Sequence, residues 1–450
     1  MNQRTLTIVS AGTLLVLINY AAPASVLPSV AADLGAGPTA QAWLINGIVL
    51  GLAALVLTAG SAADNHGRRR VFAAGAVVLA LGTAASAVAP NPVTFALARV
   101  VQGGASAALL AAGLGLIGYA FPSGPARVRA TATWGAMLGA GIAIGPLLAA
   151  ETDRLTGWRS LYWGIAAFAV LLAVVARAAL PESRAAEPRP LDAAGAALLG
   201  GGLTLLLTGV TAGREGWVRP GTLAPLAAGA LLVAAFVAVQ HRGHAPMLDL
   251  ALFRNPAFVT ATVGALVTGA AVVGPMTFLA AALQHDAGLS APATAGLFAV
   301  WAGTSAAVSL LARRLSVTVD GRRELVVGLG VTVVGNLAMY AAVGPLEGGA
   351  WGLLLPGLVV AGVGSGVLNA TLARIAVQSV PVDRAGMGSG ANNTARYIGS
   401  SLGLAVVVAT GGHIQVVLLL GAAVALTGAL LGLRPTRPLT PSLMIKASLK

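Results

Sequence analysis

The chain contains no cysteine among its 450 residues. That absence excludes disulfide bonds, thiolate catalysis and cysteine-ligated metal sites. Charged residues make up only 9% of the chain, and its five histidines lack the spacing of a metal site. No pairing of a nucleophile with a base and no phosphate-binding loop is recognisable in the sequence. We therefore expect neither an enzyme nor a metal or cofactor site.

Apolar residues dominate what is present. They account for 57% of the chain and give a mean hydropathy of +0.86, far from the composition of a soluble domain. The formal net charge is +13, but the basic residues lie in short loops between apolar runs rather than along one polar face. This distribution does not indicate a nucleic-acid partner. The expected partner is the lipid bilayer.

Fourteen apolar segments can be delimited between about residues 6 and 433, each long enough to cross a hydrocarbon core about 30 Å thick. Each segment is continuously apolar instead of alternating at period two, so helices are favoured over barrel strands. The first segment is too long for the apolar region of a signal peptide. The sequence predicts an all-α integral membrane protein with fourteen transmembrane helices.

The distribution of arginine and lysine predicts the orientation, because positive residues near span ends are retained in the cytoplasm. If both termini are cytoplasmic, 21 of the 27 basic residues fall in cytoplasmic loops and only four in outer loops. The remaining two, Arg99 and Arg396, fall within predicted spans. We predict a multi-pass protein of the cell membrane with both termini in the cytoplasm.

An internal repeat indicates two bundles. The loop at residues 60–70 joins the second and third segments, and residues 312–323 repeat its basic character at the matching place in the second half. We predict an amino-terminal six-helix bundle over 1–180, a linker with two additional central transmembrane helices over 181–255, a six-helix bundle over 256–434 and a cytoplasmic tail over 435–450. The two bundles should be related by pseudo-two-fold symmetry.

Several motifs, taken in order, resemble those of a known family. Residues 60–70 read G-x-x-x-D-x-x-G-R-R-R, residues 97–103 carry an arginine motif within the fourth span, residues 141–146 read G-x-x-x-G-P, and residues 393–396 read N-T-A-R. Together they resemble the fourteen-span drug:proton antiporter family of the major facilitator superfamily. The resemblance implies a secondary transporter that exports small compounds by alternating access between its two bundles.

Two of these motifs form the predicted conformational gate. Asp64 could accept hydrogen bonds from the exposed amides at the start of the thirteenth span, or it could only balance the arginines that follow it. Glycines four residues apart let another helix approach closely and a proline bends the span, although this pattern also occurs in static packing seams. The predicted gate residues are Asp64, Gly67, Arg68, Gly141, Gly145 and Pro146.

Arg99 lies within the fourth span, where a guanidinium must find carbonyls, a carboxylate, water or a ligand. We predict that it faces a central cavity; the alternative is a hydrogen-bonding hub shared with Gln102, three residues later. Arg396 is a second cation within a span, for which a structural role is equally compatible. The predicted substrate-binding residues are Asn19, Tyr20, Trp43, Asn46, Arg99, Gln102, Trp134, Trp301, Asn336, Asn369, Asn393 and Arg396. Ordinary helix packing is the alternative for each aromatic and amide.

The most consequential departure from the family pattern is Asn19, which occupies the place of the family's membrane aspartate. All fourteen acids lie in loops or at span ends, so the usual carrier of an exchanged proton is missing. The candidate proton sites are Asp33, Glu151 and Asp153, and the substrate itself is another possible proton carrier. A cavity with arginine and no acid would repel cations. We therefore predict a neutral or anionic amphipathic substrate.

The leading hypothesis is a monomeric exporter of a small compound such as a drug or antibiotic, with proton coupling left open. One alternative is a facilitator or importer that works without proton antiport. Another is a membrane receptor or scaffold that does not transport.

Overall fold

The structure is a computed structural model. It describes residues 2–121, 124–184, 192–213, 216–243, 246–285, 288–315, 321–343, 350–380, 385–409 and 413–433. Within these ranges the chain is helical and contains no β-strand. The α-helices are α1 Asn2–Ala21, α2 Pro23–Leu34, α3 Pro38–His66, α4 Arg68–Ala87, α5 Pro92–Ala120, α6 Gly124–Thr156, α7 Trp158–Ala179, α8 Ala193–Ala212, α9 Pro220–Arg242, α10 Pro256–Thr268, α11 Gly274–His285, α12 Ala291–Leu315, α13 Gly321–Ala342, α14 Leu354–Gln378, α15 Ala385–Ala409 and α16 Ile414–Leu433.

Thirteen helical segments of the described chain are long and apolar enough to cross a membrane, which confirms the prediction of an all-α, multi-pass protein. The predicted span without a counterpart among these thirteen is the thirteenth, which corresponds to α15. This helix carries two asparagines, three serines and an arginine between residues 389 and 401, and such residues lower its hydropathy. The count of fourteen spans stays a prediction.

The first span of each half is interrupted at its middle. α1 ends at Ala21 and α2 begins at Pro23. Proline is favourable at the start of a helix, because the amide groups of the first turn have no hydrogen-bond partner within the helix. Between α10 and α11 the chain forms a π-helical segment, Gly269–Val273, just before Pro275. Proline removes a backbone donor, and a π-turn accommodates the resulting break.

Buried apolar side chains form two large clusters that follow the two halves of the sequence. One consists almost entirely of residues from α1 to α7, and the other of residues from α10 to α16. This division agrees with two helical bundles, while the predicted domain boundaries at 180, 255 and 434 stay a prediction.

The halves meet along two seams, α6 against α12 and α3 against α15. At the first seam a Cβ built on Gly139 would lie 2.6 Å from the Cβ of Ala306. The second seam is covered by α8, which packs against both α3 and α15 and carries α9 on its outer side. The two additional helices therefore lie over one seam only.

A central cavity between the bundles

A cavity of about 1390 Å³ lies between the two halves and is lined by residues of both. It is larger than the roughly 300–1,000 Å³ typical of sites for small molecules. The cavity reaches the helix ends at one side of the molecule, and we call this end the Arg68 mouth. The charged residues that line the Arg68 mouth are Asp64, Arg68, Arg127, Glu324 and Arg374.

At the opposite end the halves are in contact. The Gln284 side-chain amide of α11 donates to the backbone carbonyl of Ala24 in α2, at 3.4 Å. Nearby, Asp33 pairs with Arg159 and accepts a hydrogen bond from the indole nitrogen of Trp158 at 3.2 Å. We call this end the Asp33 end. The cavity is thus open at the Arg68 mouth and closed by contacts between the halves towards the Asp33 end.

The candidate proton sites all belong to the Asp33 end and none of them lines the cavity. Asp33 is held by Arg159, whose guanidinium also lies 4.3 Å from the Trp158 ring centroid. Asp153 accepts a hydrogen bond from Ser29 at 2.5 Å. Glu151 pairs with Arg154 at 2.8 Å, three residues along the same helix. Their role as proton sites stays a prediction.

Arg99 is fully buried at the centre of a polar network and does not line the cavity. Its Nη1 donates to the backbone and side-chain oxygens of Asn19 at 3.0 and 3.1 Å and to Gln102 Oε1 at 2.8 Å. The Gln102 amide then donates to the Gly82 carbonyl and to Ser86. The network ties α1, α4 and α5 together. These contacts match the alternative of a structural hub, and substrate contact by Arg99 stays a prediction.

Arg396, in contrast, lines the cavity. It is the twelfth residue of the 25-residue helix α15, which places it about 17 Å along the helix at 1.5 Å per residue. Its Nη1 donates to Asn369 Oδ1 at 2.9 Å and its Nη2 to Asn393 Oδ1 at 2.8 Å. The rings of Tyr397, the next residue, and Tyr20 lie 6.4 Å apart, between centroids, across the two halves. This cluster occupies the middle depth of the cavity.

The predicted binding residues thus divide into two groups. Those that line the cavity are Tyr20, Asn46, Trp134, Trp301, Asn369, Asn393 and Arg396. Those outside its lining are Asn19, Trp43, Arg99, Gln102 and Asn336. Asn336 is buried between α13 and α16, where its amide approaches Gly421.

Sequence reasoning missed several hydroxyl groups of the cavity wall. Ser305 of α12 is hydrogen-bonded to Ser365 and to the predicted Asn369 of α14, and Thr371 donates to Glu324. Single serines and threonines in an apolar helix give little signal. A stripe on α15 does have the required spacing, because its polar residues recur at three- and four-residue intervals on one helix face. Its members are Ser389, Asn393, Arg396 and Ser400.

The predicted gate loop shows local pairing of its charges. Arg68 donates to Asp64 Oδ1 from Nε at 3.1 Å and from Nη2 at 2.8 Å, four residues apart. In this state Asp64 therefore balances an arginine of its own loop, and its predicted contact with the start of the thirteenth span is not formed within the described residues. A second contact was not predicted. The linker residue Glu182 accepts from the Arg69 amide at 3.2 Å, at the amino-terminal end of α4, where the helix dipole favours a carboxylate.

The glycines predicted for the fifth span lie against α1 within the first half. A Cβ on Gly141 would lie 2.5 Å from the Leu17 Cβ, and one on Gly145 would lie 2.8 Å from the Ile18 carbonyl oxygen. Pro146, inside α6, lines the cavity. The glycines form a close packing seam, as one of the two alternatives proposed, and their role as a gate stays a prediction.

Substitution of Gly67 by alanine is expected to destabilise the protein. Gly67 has φ +106°, and an added Cβ would lie 2.5 Å from Glu182 Oε1. A strained backbone conformation of this kind costs about 1–3 kcal/mol for a residue with a side chain. Gly60→Ala is the matched control, since nothing lies within 4 Å of a Cβ there. Thermal unfolding of the purified variants should show a lower midpoint for Gly67→Ala only; equal midpoints would contradict the strain argument.

Comparison with known proteins places these features in context. The family model of the Major Facilitator Superfamily matches residues 9–404. The "Probable actinorhodin transporter" of Streptomyces coelicolor is 34% identical, over 87% of this chain and 68% of that protein. The "Cephamycin export protein CmcT" of Amycolatopsis lactamdurans is also 34% identical, over 86% of this chain and 80% of that protein.

One solved structure has a similar fold over nearly the whole length of the chain. The crystal structure of the human organic anion transporter MFSD10 (TETRAN) superimposes with a TM-score of 0.68 and covers 96% of this chain and 99% of its own. The identity is 18%, so this likeness concerns the fold alone.

Proposed function

Because the chain belongs to the Major Facilitator Superfamily, and is therefore a membrane transporter and not an enzyme, we propose that it exports a small amphipathic compound such as an antibiotic. The observation that carries the proposal is the large cavity shared by the two halves and open at one end only. Alternating access requires such a cavity, reached in turn from either side of the membrane as the halves rock. The names of the two relatives support the direction and the class of substrate, since one is described as a cephamycin export protein and the other as a probable actinorhodin transporter.

The cavity wall supports a substrate with both apolar and polar parts. Tyr20, Trp134 and Trp301 supply aromatic surface, while amides and hydroxyls of α12, α14 and α15 supply hydrogen-bonding groups. A mostly apolar pocket with a few placed polar groups is the usual arrangement for small molecules. Asn369, Asn393 and Arg396 are the proposed polar contacts, and the aromatics are the proposed apolar ones.

We place the protein in the cell membrane with both termini in the cytoplasm, on the strength of the basic residues in the predicted cytoplasmic loops. The loop between α3 and α4 follows the second crossing, so the Arg68 mouth faces the cytoplasm. The state described is then the one that receives substrate from inside the cell. The gate loop would close this mouth in the opposite state. A monomer is sufficient for this cycle, because each chain has its own cavity.

Expression in a bacterial host that lacks its own exporters is expected to reduce susceptibility to at least one amphipathic antibiotic, because export lowers the concentration inside the cell. The measurement is the minimal inhibitory concentration over a panel of neutral, anionic and cationic compounds, against cells that carry the empty vector. Accumulation of a fluorescent compound should fall in parallel. Increased susceptibility would instead indicate import, and an unchanged panel would favour the non-transporting alternative.

A further inference from the structure

The charged residues that line the cavity are predominantly positive. Four arginines and two carboxylates contribute to the described wall, and both carboxylates lie at the Arg68 mouth. Each is already bound: Asp64 to Arg68, and Glu324 to Arg374 and Thr371. The remaining charged residue of the described lining at this mouth is Arg127 from α6. The mouth therefore offers no unpaired acid among the residues that the structure describes.

Deeper in the cavity the described lining carries only positive charge. Arg396 is the only charged residue of the described lining at middle depth, and its two hydrogen-bond acceptors are neutral amides. No described carboxylate forms an ion pair with it. The Arg99 guanidinium is buried in the first half with amide and backbone acceptors and likewise has no acid partner there. Two guanidiniums without a described acid partner thus lie in the cavity wall and behind it, Arg396 in the lining and Arg99 buried in the first half.

The positive charge of the cavity wall favours a negatively charged ligand. The planar guanidinium binds a carboxylate or sulfonate through two parallel hydrogen bonds, and such charge-assisted bonds are about twice as strong as neutral ones. Asn369 and Asn393 hold two of the guanidinium nitrogens and so fix the orientation of its plane. An organic cation would meet the charge of Arg396 and no unpaired acid among the described lining residues.

The positively charged cavity wall also bears on the source of energy for export. A proton-exchanging transporter needs a group that takes up and releases a proton within the cavity. The carboxylates of the described lining, Asp64 and Glu324, are paired with arginines at the Arg68 mouth, and arginine does not deprotonate in proteins. An exported anion needs no such group, since moving one negative charge out of a cell with a negative interior is favourable by about 2.3 kcal/mol per 100 mV. The membrane potential alone can drive the reaction.

We propose that Arg396 binds an organic anion in the cavity and that its export is electrogenic, driven by the membrane potential without proton exchange. The inference rests on the proposed function as an exporter and adds the class of substrate and the source of energy. One net negative charge leaves the cell in each cycle for a monovalent substrate. The Asn19 that replaces the family's acid is then consistent with this mode of transport.

The test uses the full chain reconstituted in phospholipid vesicles with 1-anilinonaphthalene-8-sulfonate as the probe. A sulfonate stays ionised at every pH used, so a pH gradient cannot act on the probe itself. Valinomycin with potassium ten times higher outside makes the interior positive by about 60 mV, which supports about tenfold accumulation of a monovalent anion at equilibrium. This holds for either orientation of the protein in the vesicle. A pH gradient at zero potential should leave uptake unchanged.

Variants connect the flux to Arg396. Arg396→Gln should reduce the initial rate about tenfold or more, because a hydrogen bond to a charged group is lost. Arg396→Lys keeps the charge and should retain a response to the potential. Arg177→Gln removes an exposed arginine of α7 outside the cavity and is the control, with an unchanged rate. Gel-filtration profiles and thermal unfolding establish that each variant is folded.

Four outcomes would overturn the proposal. Uptake that follows the pH gradient and ignores the potential would show proton coupling. Uptake of tetraphenylphosphonium with none of the sulfonate would show a cation exporter, leaving export in place. Full activity of a folded Arg396→Gln variant would remove the assigned site. Absence of flux for both probes, with no change in antibiotic susceptibility, would remove the exporter as well.

Discussion

Crosslinking position 24 to position 284 is expected to stop transport. Ala24 lies in α2 and Gln284 in α11, so their contact joins the two halves towards the Asp33 end. When the cavity opens there, the halves must separate at this point. Because the chain has no cysteine, Ala24→Cys with Gln284→Cys creates the only two thiols. A short bifunctional thiol reagent should then hold the protein open at the Arg68 mouth and abolish nearly all flux, and a cleavable reagent should restore the flux on reduction.

A matched pair within one helical hairpin controls for the chemistry. Gly201 of α8 and Leu232 of α9 lie close together, with a Cβ on the glycine 3.3 Å from Leu232 Cδ1. Crosslinking Gly201→Cys to Leu232→Cys joins two helices that need not separate and should leave transport unchanged. Persistent flux through the crosslinked 24–284 pair would contradict alternating access at this contact. Loss of flux in both pairs would point to the reagent and not to the gate.

The fold could be predicted from the sequence because the bilayer imposes a strong constraint on it. A helix that crosses lipid must be apolar for about 20 residues, so spans are visible as continuous runs. Among the predicted spans that the structure describes, only α15 is too polar to be recognised by its hydropathy, because it carries part of the polar wall of the cavity, including Asn393 and Arg396. The weakest membrane signal therefore belongs to a helix that contributes two of the proposed polar contacts in the cavity wall.

The candidate site could be predicted only in part, because the composition of a helix does not show which of its sides faces the cavity. Arg99 and Arg396 look alike in the sequence, as single cations within apolar runs. The structure separates them: three residues after Arg99, Gln102 completes a buried network, whereas Arg396 stands beside open space. The hydrogen bond between Glu182 and the Arg69 amide joins residues that are 113 apart in sequence, and no local sequence pattern predicts such a contact.

The tightest helix crossing in the first half gives the last prediction, because there the positions of α3 and α5 depend on glycines. A Cβ on Gly51 would lie 2.1 Å from the Val100 carbonyl oxygen, and one on Gly103 would lie 2.3 Å from the Ile48 carbonyl oxygen. These obstacles are backbone atoms, so neither can rotate away as a side chain would. The two helices approach at backbone distance in the manner of small-residue crossings in membranes.

Gly103→Ala is therefore expected to lower stability by about 1–3 kcal/mol, the usual cost of overpacking, and Gly103→Val by more. The same crossing holds Arg99 in its network, since a Cβ on Gly47 would lie 2.9 Å from the Arg99 Cβ; spreading α3 from α5 should loosen that hub too. Gly330→Ala in α13 is the control, because nothing lies within 4 Å of a Cβ there and alanine favours a helix by about 0.5–1 kcal/mol. The thermal unfolding midpoints of the two purified variants should shift in opposite directions relative to the unsubstituted protein. A Gly103→Ala midpoint at or above that of Gly330→Ala would mean that the crossing tolerates a side chain, and Arg99 would then need another support.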